Sequence, residues 1–281
     1  MTEALPHQTL VLLVTCSMDE SRHDLAVQVM RNLAEKLPEA GLVRDFILFD
    51  NASLYKDHIA LAPHGTRVIQ SSQNVGYWSA IKWVMEHAEE LMGRSYKYIY
   101  MVESDLYHVD MRALGECEKF LDENADAACV RTQEFSVRQR WRFDKKFRFL
   151  PFRKMRSLVH MHNDVTREAA WFRPVQGFKK VYFSNLHAKI PALNRMELLR
   201  DVFQELEGLG NFGEPDFFRL MHKRRPLIGV LDGGIFYQCS TIMSKGIVSG
   251  SWSSPEDLIK FGYQPTRKSS ILKEYPPIEI L

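Results

Sequence analysis

Thr9-Leu-Val-Leu-Leu-Val14, followed at once by Thr15-Cys16-Ser17, is the stretch on which the fold turns. Six residues of unbroken apolar and β-branched character read as a strand covered on both faces, since a half-exposed strand would alternate with polar residues. Working outward, Leu25, Val29, Leu33 and Leu37 recur every four residues, one stripe of an amphipathic helix that Pro38 and Gly41 terminate. Phe46–Phe49 is a second apolar strand, Arg67–Gln70 a third and Tyr98–Val102 a fourth, with a helix carrying Ile81, Val84, Ala88 and Leu91 before the last. Strands alternating with helices predict an α/β fold with a mixed, mostly parallel sheet flanked by helices in a single large domain.

The second half is less regular. A helix near Met111–Leu121, strands at Ala127–Val130, Val181–Phe183, Ile190–Leu193 and Leu227–Leu231, and helices around Met196–Leu206 and Pro215–His222 are expected. The division predicted is a ligand-binding half over 1–106, a second half over 107–248, and an extension over 249–281 that wraps the surface. Composition adds exclusions. Apolar residues make 45% of the 281 and charged residues 26%, which rules out disorder and repeats, and 37 Lys/Arg against 35 Asp/Glu leave no global field for nucleic acid. Cys16, Cys117, Cys129 and Cys239 show no paired spacing, so zinc ribbons and redox motifs are not expected, and a reducing, cytoplasmic location is. Leu10–Val14 is too short to span a bilayer or to serve as a signal core.

Ligands of open parallel sheets bind beyond the carboxyl ends of the strands. Here those ends are polar: Thr15-Cys16-Ser17, Asp50-Asn51-Ala52-Ser53, Ser71 through Gly76, and Glu103-Ser104-Asp105. Each alone is as readily a turn as a site, but four on successive strands mark one edge. The turn after the first strand has no glycine, which excludes a dinucleotide fingerprint and the basic glycine loop of a sugar-phosphate nucleotidyltransferase. No phosphate-cradling G-x-x-x-x-G-K-[ST] occurs anywhere.

The ordered series "FILFDNAS", "QNVGYWSAIKWVME", "YIYMVESDLY", "IPALNRMELL" and "FGEPDFFRLMHKR" resembles the GT-A nucleotide-sugar glycosyltransferases of the family-two-like group, over roughly residues 9 to 240. That resemblance implies a GT-A fold, transfer of a sugar from a nucleotide-diphosphate donor such as a UDP-sugar to a glycan, lipid-linked or other hydroxyl acceptor, and an inverting route. It implies Mn²⁺ or Mg²⁺ held by Asp105, with Glu103 beside it binding metal, water or ribose. Thr15, Cys16, Ser17, Asp50, Asn51, Ser53, Asn74, Gly76, Tyr77, Glu103 and Ser104 are the candidate nucleotide-sugar contacts. Asp50 and Asn51 resemble the residues that read base and ribose, while Asn74 and Gly76 open a helix whose N-terminal N–H groups suit diphosphate.

Asp216 and Glu214 are the candidates for the base that takes the acceptor proton, Asp216 being favoured, with helix capping as the competing reading of either. The sequence departs from the family twice. Pro215 interrupts the usual Glu-Asp pair, and Tyr237 and Gln238 stand where many relatives carry a metal-binding His. A non-catalytic sugar-nucleotide or glycan-binding module on the same fold is the alternative these departures motivate. His160 and His162 alternate onto one face, a spacing more often seen in plain surface histidines. The basic aromatic stretch Arg138–Arg156 reads as an acceptor loop, a contact for an anionic surface, or a solvated strand face; a nucleic-acid partner is not expected.

Overall fold

The computed structural model describes residues 8–132, 171–185, 187, 191–232, 235–238 and 269–281. Arg138–Arg156, His160, His162 and Cys239 lie outside the described residues. The chain opens with β1 (Thr9–Thr15), α1 (Glu20–Ala40), β2 (Phe46–Asn51), β3 (Arg67–Ser71), α2 (Tyr77–Met92) and β4 (Tyr98–Val102). It continues with β5 (Leu106–His108), α3 (Leu114–Glu123), β6 (Ala127–Arg131), β7 (Phe172–Pro174), β8 (Val181–Ser184), β9 (Ala192–Arg195), α4 (Met196–Leu209) and α5 (Glu214–Arg224). Then come β10 (Leu227–Leu231), β11 (Phe236–Gln238) and β12 (Ile278–Ile280).

Ten of these strands form one sheet in the order β12-β3-β2-β1-β4-β9-β6-β10-β8-β7, and β11 pairs with β5 in a separate two-stranded sheet. β1 is parallel to β2 and β4, and β2 to β3, while β9 runs antiparallel to both β4 and β6. Since β10 is parallel to β6 and antiparallel to β8, the strands β3, β2, β1, β4, β6, β10 and β7 share one direction. The mixed, mostly parallel sheet flanked by helices is therefore present as the sequence implies. Among the described residues no helix is long and apolar enough to cross a membrane.

The alternation of side chains along β1 explains the unbroken apolar run. Leu10, Leu12 and Val14 join one core layer with Ile81, Val84 and Phe203, beneath α2, α4 and α5. Val11 and Leu13 join the other with Val29, Leu33 and Phe120, beneath α1 and α3. Every residue of β1, β2 and β4 is buried. Asp19 caps α1 by accepting the Arg22 N–H at 2.9 Å. Pro38 lies within the last turn, and Gly41, at φ 72°, closes the helix in the left-handed conformation that glycine adopts without strain.

The buried Asn32 of α1 fastens β5 by a two-way backbone bond, donating to the His108 carbonyl at 2.9 Å and accepting its N–H at 2.6 Å. Four strands escape the sequence reading: β5, β7, β11 and β12, each three residues long. Runs that short carry no periodicity to detect. The segment over 269–281 packs rather than merely wraps, with Ile271 in the core and β12 antiparallel on the edge of β3.

Burial holds two histidines neutral. The rings of His108 and His187 are pushed down to about 4, chiefly by loss of water. An unfolded histidine takes a proton near pH 6.5 while these do not, so the unfolded chain binds more protons between pH 6.5 and about 4. Stability is complete above that window and falls through it as pH drops, by up to about 1.4 kcal/mol per pH unit for each group. Nuclear magnetic resonance titration of the ring protons should find both imidazoles still neutral at pH 5. Ordinary titration near 6.5 would show that their burial is not as described.

Candidate functional site

Because β1 to β4 run parallel, their carboxyl ends meet on one edge, with Thr15 opposite Asp50 and Asn51 opposite Ser71. Hydrogen bonds knit these ends together. The Thr15 hydroxyl donates to Asp50 Oδ1 at 3.3 Å and lies 3.0 Å from Nε2 of His58. With its proton committed to Asp50, Thr15 accepts from Nε2, which assigns the tautomer with the hydrogen there. All three side chains are out of water, and His58 Nε2 sits 3.8 Å from Asp50 Oδ1. Burial is the strongest influence on His58 and depresses its proton affinity, with Asp50 opposing. His58 was not recognised in the sequence, because it lies in a short 3₁₀ turn (Asp57–Leu61) with no motif around it.

Asn51 bridges outward. Its amide donates to Asn74 Oδ1 at 3.0 Å and its carbonyl oxygen accepts the Val75 N–H at 2.8 Å. Asn74 in turn accepts the Gly76 N–H at 2.8 Å and donates to Cys16 Sγ at 3.3 Å. Ser53 Oγ accepts the Ser17 N–H at 2.8 Å. Between them Ala52 is held at φ 58°, a left-handed conformation uncommon for a residue with a Cβ. Burial pushes the Cys16 thiol up, with Arg22 opposing and Asp50 adding to the rise.

The structure thus divides the candidates of this edge. Thr15, Ser17, Asp50, Asn51 and Ser53 are buried and form a frame. Asn74 and Gly76 are exposed, and Cys16, Tyr77, Glu103, Ser104 and Asp105 are partly so. Gly76 adopts φ 82° where α2 begins, a backbone turn that places Tyr77 and Trp78 on the first helical turn. Trp78 is core: its ring lies 4.7 Å from Phe217, 6.0 Å from Phe203 and 6.1 Å from Phe212. This cluster docks α4 and α5 onto α2.

Tyr77 packs at the border of the same core, its ring 5.6 Å from Trp78. Its hydroxyl is shut off from water and has no hydrogen-bond partner among the described residues. Burial, then the carboxylates of Glu103, Glu214 and Asp105, hold the phenol well above its ordinary range. One hydroxyl therefore feels carboxylates from both the turn after β4 and the start of α5, which the sequence places 109 residues apart in the case of Asp105 and Glu214.

The two candidate bases are treated differently. Asp216 Oδ2 accepts the Gly213 N–H at 2.7 Å and Oδ1 is paired with Arg219 at 2.8 Å. Both oxygens are engaged, so the capping reading describes its geometry. Pro215 fits the first turn, where no intrahelical N–H is required. Among the described residues no group of three or more His, Cys, Asp or Glu side chains is arranged to hold a metal. Glu103 and Asp105 offer hard oxygen donors, and a cation there would need its other ligands from a bound phosphate. β11, which carries Tyr237 and Gln238, runs antiparallel to β5, with Gln238 opposite Leu106 beside that turn.

No family model and no curated protein sequence matches the chain. Solved structures do. A fragment of TarS from S. aureus aligns at 15% identity with a TM-score of 0.47, over 90% of this chain and 62% of that one. A longer TarS structure aligns at 15% identity and a TM-score of 0.46, over 84% and 38%. The glucosyl-3-phosphoglycerate synthase of Mycobacterium tuberculosis, solved with Mn²⁺, UDP-glucose and phosphoglyceric acid, aligns at 13% identity and a TM-score of 0.46, over 96% and 89%. The chain thus spans less than two thirds of either TarS structure.

The frame has a measurable cost of removal. Asn51→Ala leaves the buried Val75 N–H without its acceptor and takes one donor from Asn74 Oδ1, which keeps the Gly76 N–H, a loss of about 1–3 kcal/mol. Melting should fall by roughly 5 °C, on a scale of about 2–4 °C per kcal/mol. A change under about 1 °C on that same scale would show that Asn51 does not hold the frame.

Proposed function

We propose that the protein is a glycosyltransferase that moves a sugar from a nucleotide-diphosphate donor to an acceptor hydroxyl, with inversion and with a divalent cation. The observation that carries the reading is the placement of two acidic turns about the head of α2: Glu103-Ser104-Asp105 follows β4 on the shared strand edge, and Glu214 opens α5, which Phe217 docks on Trp78 of α2 at 4.7 Å. Donor departure calls for carboxylates that hold a cation and acceptor activation for one that takes a proton; Glu103 and Asp105 are proposed for the first task and Glu214 for the second.

A nucleoside diphosphate leaves carrying about three negative charges, so its departure needs positive charge nearby. Asp105 and Glu103 are the residues proposed to hold Mn²⁺ or Mg²⁺, which when bound neutralises the diphosphate and takes its remaining ligands from phosphate oxygens. The exposed Gly76 and Asn74 at the head of α2 are proposed to face the diphosphate, where helix N–H groups favour anions. The buried frame of Thr15, Ser17, Asp50, Asn51 and Ser53 fixes the shape of that edge, and Cys16 and Ser104 line it.

For the base the geometry favours Glu214 over Asp216. A base is best placed when its oxygens are not already tied to the fold, and each Asp216 oxygen already accepts a hydrogen bond, from Gly213 and from Arg219. The same engagement of Asp216 favours a second reading, a sugar-nucleotide or glycan-binding module without turnover. Binding is common to the two readings and transfer separates them.

Nucleoside diphosphates test the donor site directly. With Mn²⁺, at a hundred times its dissociation constant, one of UDP, GDP, CDP or dTDP should stabilise the protein by about 2.7 kcal/mol, and Asp105→Asn should remove most of the metal-dependent part. No shift with any of the four, with or without metal, rejects the assignment. With an active donor in hand, Glu214→Gln should lower kcat by at least about a hundredfold at unchanged nucleotide affinity. Asp216→Asn should instead lower stability by about 1 kcal/mol, and the reverse ranking would make Asp216 the base.

A further inference from the structure

Residues 269–281 touch three places at the site's rim, and only one of them is the sheet edge. At that edge Ile278 pairs with Ser71, Leu281 donates to the Val68 carbonyl at 3.0 Å and Ser72 donates to the Pro277 carbonyl at 3.1 Å. Covering an open strand in this way is a common structural job, and it explains β12. It does not explain the other two attachments.

The second attachment is to α2. Ser79, two residues beyond Tyr77 and fully buried, donates through Oγ to the Ser270 carbonyl at 3.3 Å and accepts the Leu272 N–H at 3.1 Å. The Tyr275 hydroxyl donates to the Ser79 carbonyl at 3.1 Å. The third attachment is to the turn before α5. Phe212 and Ser269 exchange both backbone bonds, Phe212 N–H to Ser269 O at 2.9 Å and Ser269 N–H to Phe212 O at 2.7 Å.

What this third contact constrains can be specified. The Phe212 ring is fixed by the core, against Trp78. A ring anchored by its side chain does not by itself orient the following peptide plane, whose Gly213 N–H is held from one side by Asp216 Oδ2 at 2.7 Å. Ser269 holds the Phe212 carbonyl of that plane from the other side, and the Phe212 N–H as well. Glu214 begins its helix one residue later.

We propose that residues 269–281 are a positioning strap for the site: Ser269 fixes the turn that carries Glu214, and Ser79 with Tyr275 fixes the first turn of α2, which carries Tyr77. The strap spans the acceptor-side and donor-side turns by one short run of chain, so their separation is set by covalent length as well as by the aromatic core. Its consequence for transfer rests on the function proposed above, whereas its consequence for the turn does not.

Hydrogen exchange on the full chain separates these. Ser269→Pro removes the N–H that Phe212 accepts, and Ser269→Ala keeps it. The proline variant should raise amide exchange over residues 212–216 by about tenfold or more relative to wild type, with the alanine variant unchanged. UDP with Mn²⁺ should bind the proline variant within about twofold of wild type by calorimetry, while kcat for transfer falls more than donor hydrolysis, the split expected of a positioning residue on the acceptor side.

Unaltered exchange over 212–216 in a folded Ser269→Pro protein overturns the proposal. Should that variant not fold, Tyr275→Phe and Ser79→Ala decide: faster exchange over 76–79 together with 212–216 supports the strap, and no change in either rejects it. Faster exchange in a protein that neither binds a nucleoside diphosphate nor turns over any nucleotide sugar would sink the donor assignment and leave the strap standing.

Discussion

The structure depends on one constraint: β1, β2 and β4 are buried on both faces, so a polar side chain along their lengths is costly unless it finds a partner inside the protein. Polar chemistry is thereby driven to the strand ends. Parallel pairing then puts four such ends on the same edge, and the edge must satisfy its own hydrogen bonds before it can serve a ligand. The Thr15–Asp50–His58 set and the Asn51–Asn74 clamp do most of this, with Asp50 Oδ2 and His58 Nδ1 left without a partner among the described residues. They account for why Thr15, Ser17, Asp50, Asn51 and Ser53 are buried although they stand at strand ends.

A second layer of order comes from aromatic packing. Trp78, Phe203, Phe212 and Phe217 hold α4 and α5 against α2. That contact places the start of α5 beside the head of α2, where the Tyr77 phenol is held well above its ordinary range by burial and then by Glu103, Glu214 and Asp105. In the proposed reaction the strand edge handles the leaving diphosphate and α5 handles the incoming hydroxyl. The distance between the two tasks is therefore set in large part by hydrophobic burial and, as proposed, by the strap.

Much of this was legible in the sequence. The apolar runs at Thr9–Val14 and Phe46–Phe49 and the four-residue periodicity of α1 gave strands and helices at their observed places, because burial on a regular element leaves a period in the chain. The polar strand ends were legible as a group but not in their division of labour. Nothing in the letters Asp50-Asn51-Ala52-Ser53 distinguishes a carboxylate facing solvent from one sealed beneath a histidine, and His58 lies in a turn with no period at all. Asp216 illustrates the same limit: three residues separate it from Arg219 and from Gly213, a spacing equally suited to a catalytic helix start and to a cap. The role of residues 269–281 was hidden because its bonds are made largely through backbone groups, which every residue carries.

The central claim is that this edge releases a nucleoside diphosphate from a nucleotide sugar. The most direct measurement is to incubate the protein with UDP-, GDP-, CDP- and dTDP-sugars and Mn²⁺, without acceptor, and follow nucleoside diphosphate release by ³¹P resonance. The account predicts slow hydrolysis of one donor class, lost on adding a chelator and lost in Asp105→Asn. Release that persists undiminished in Asp105→Asn, or binding and release absent for every donor, would contradict it.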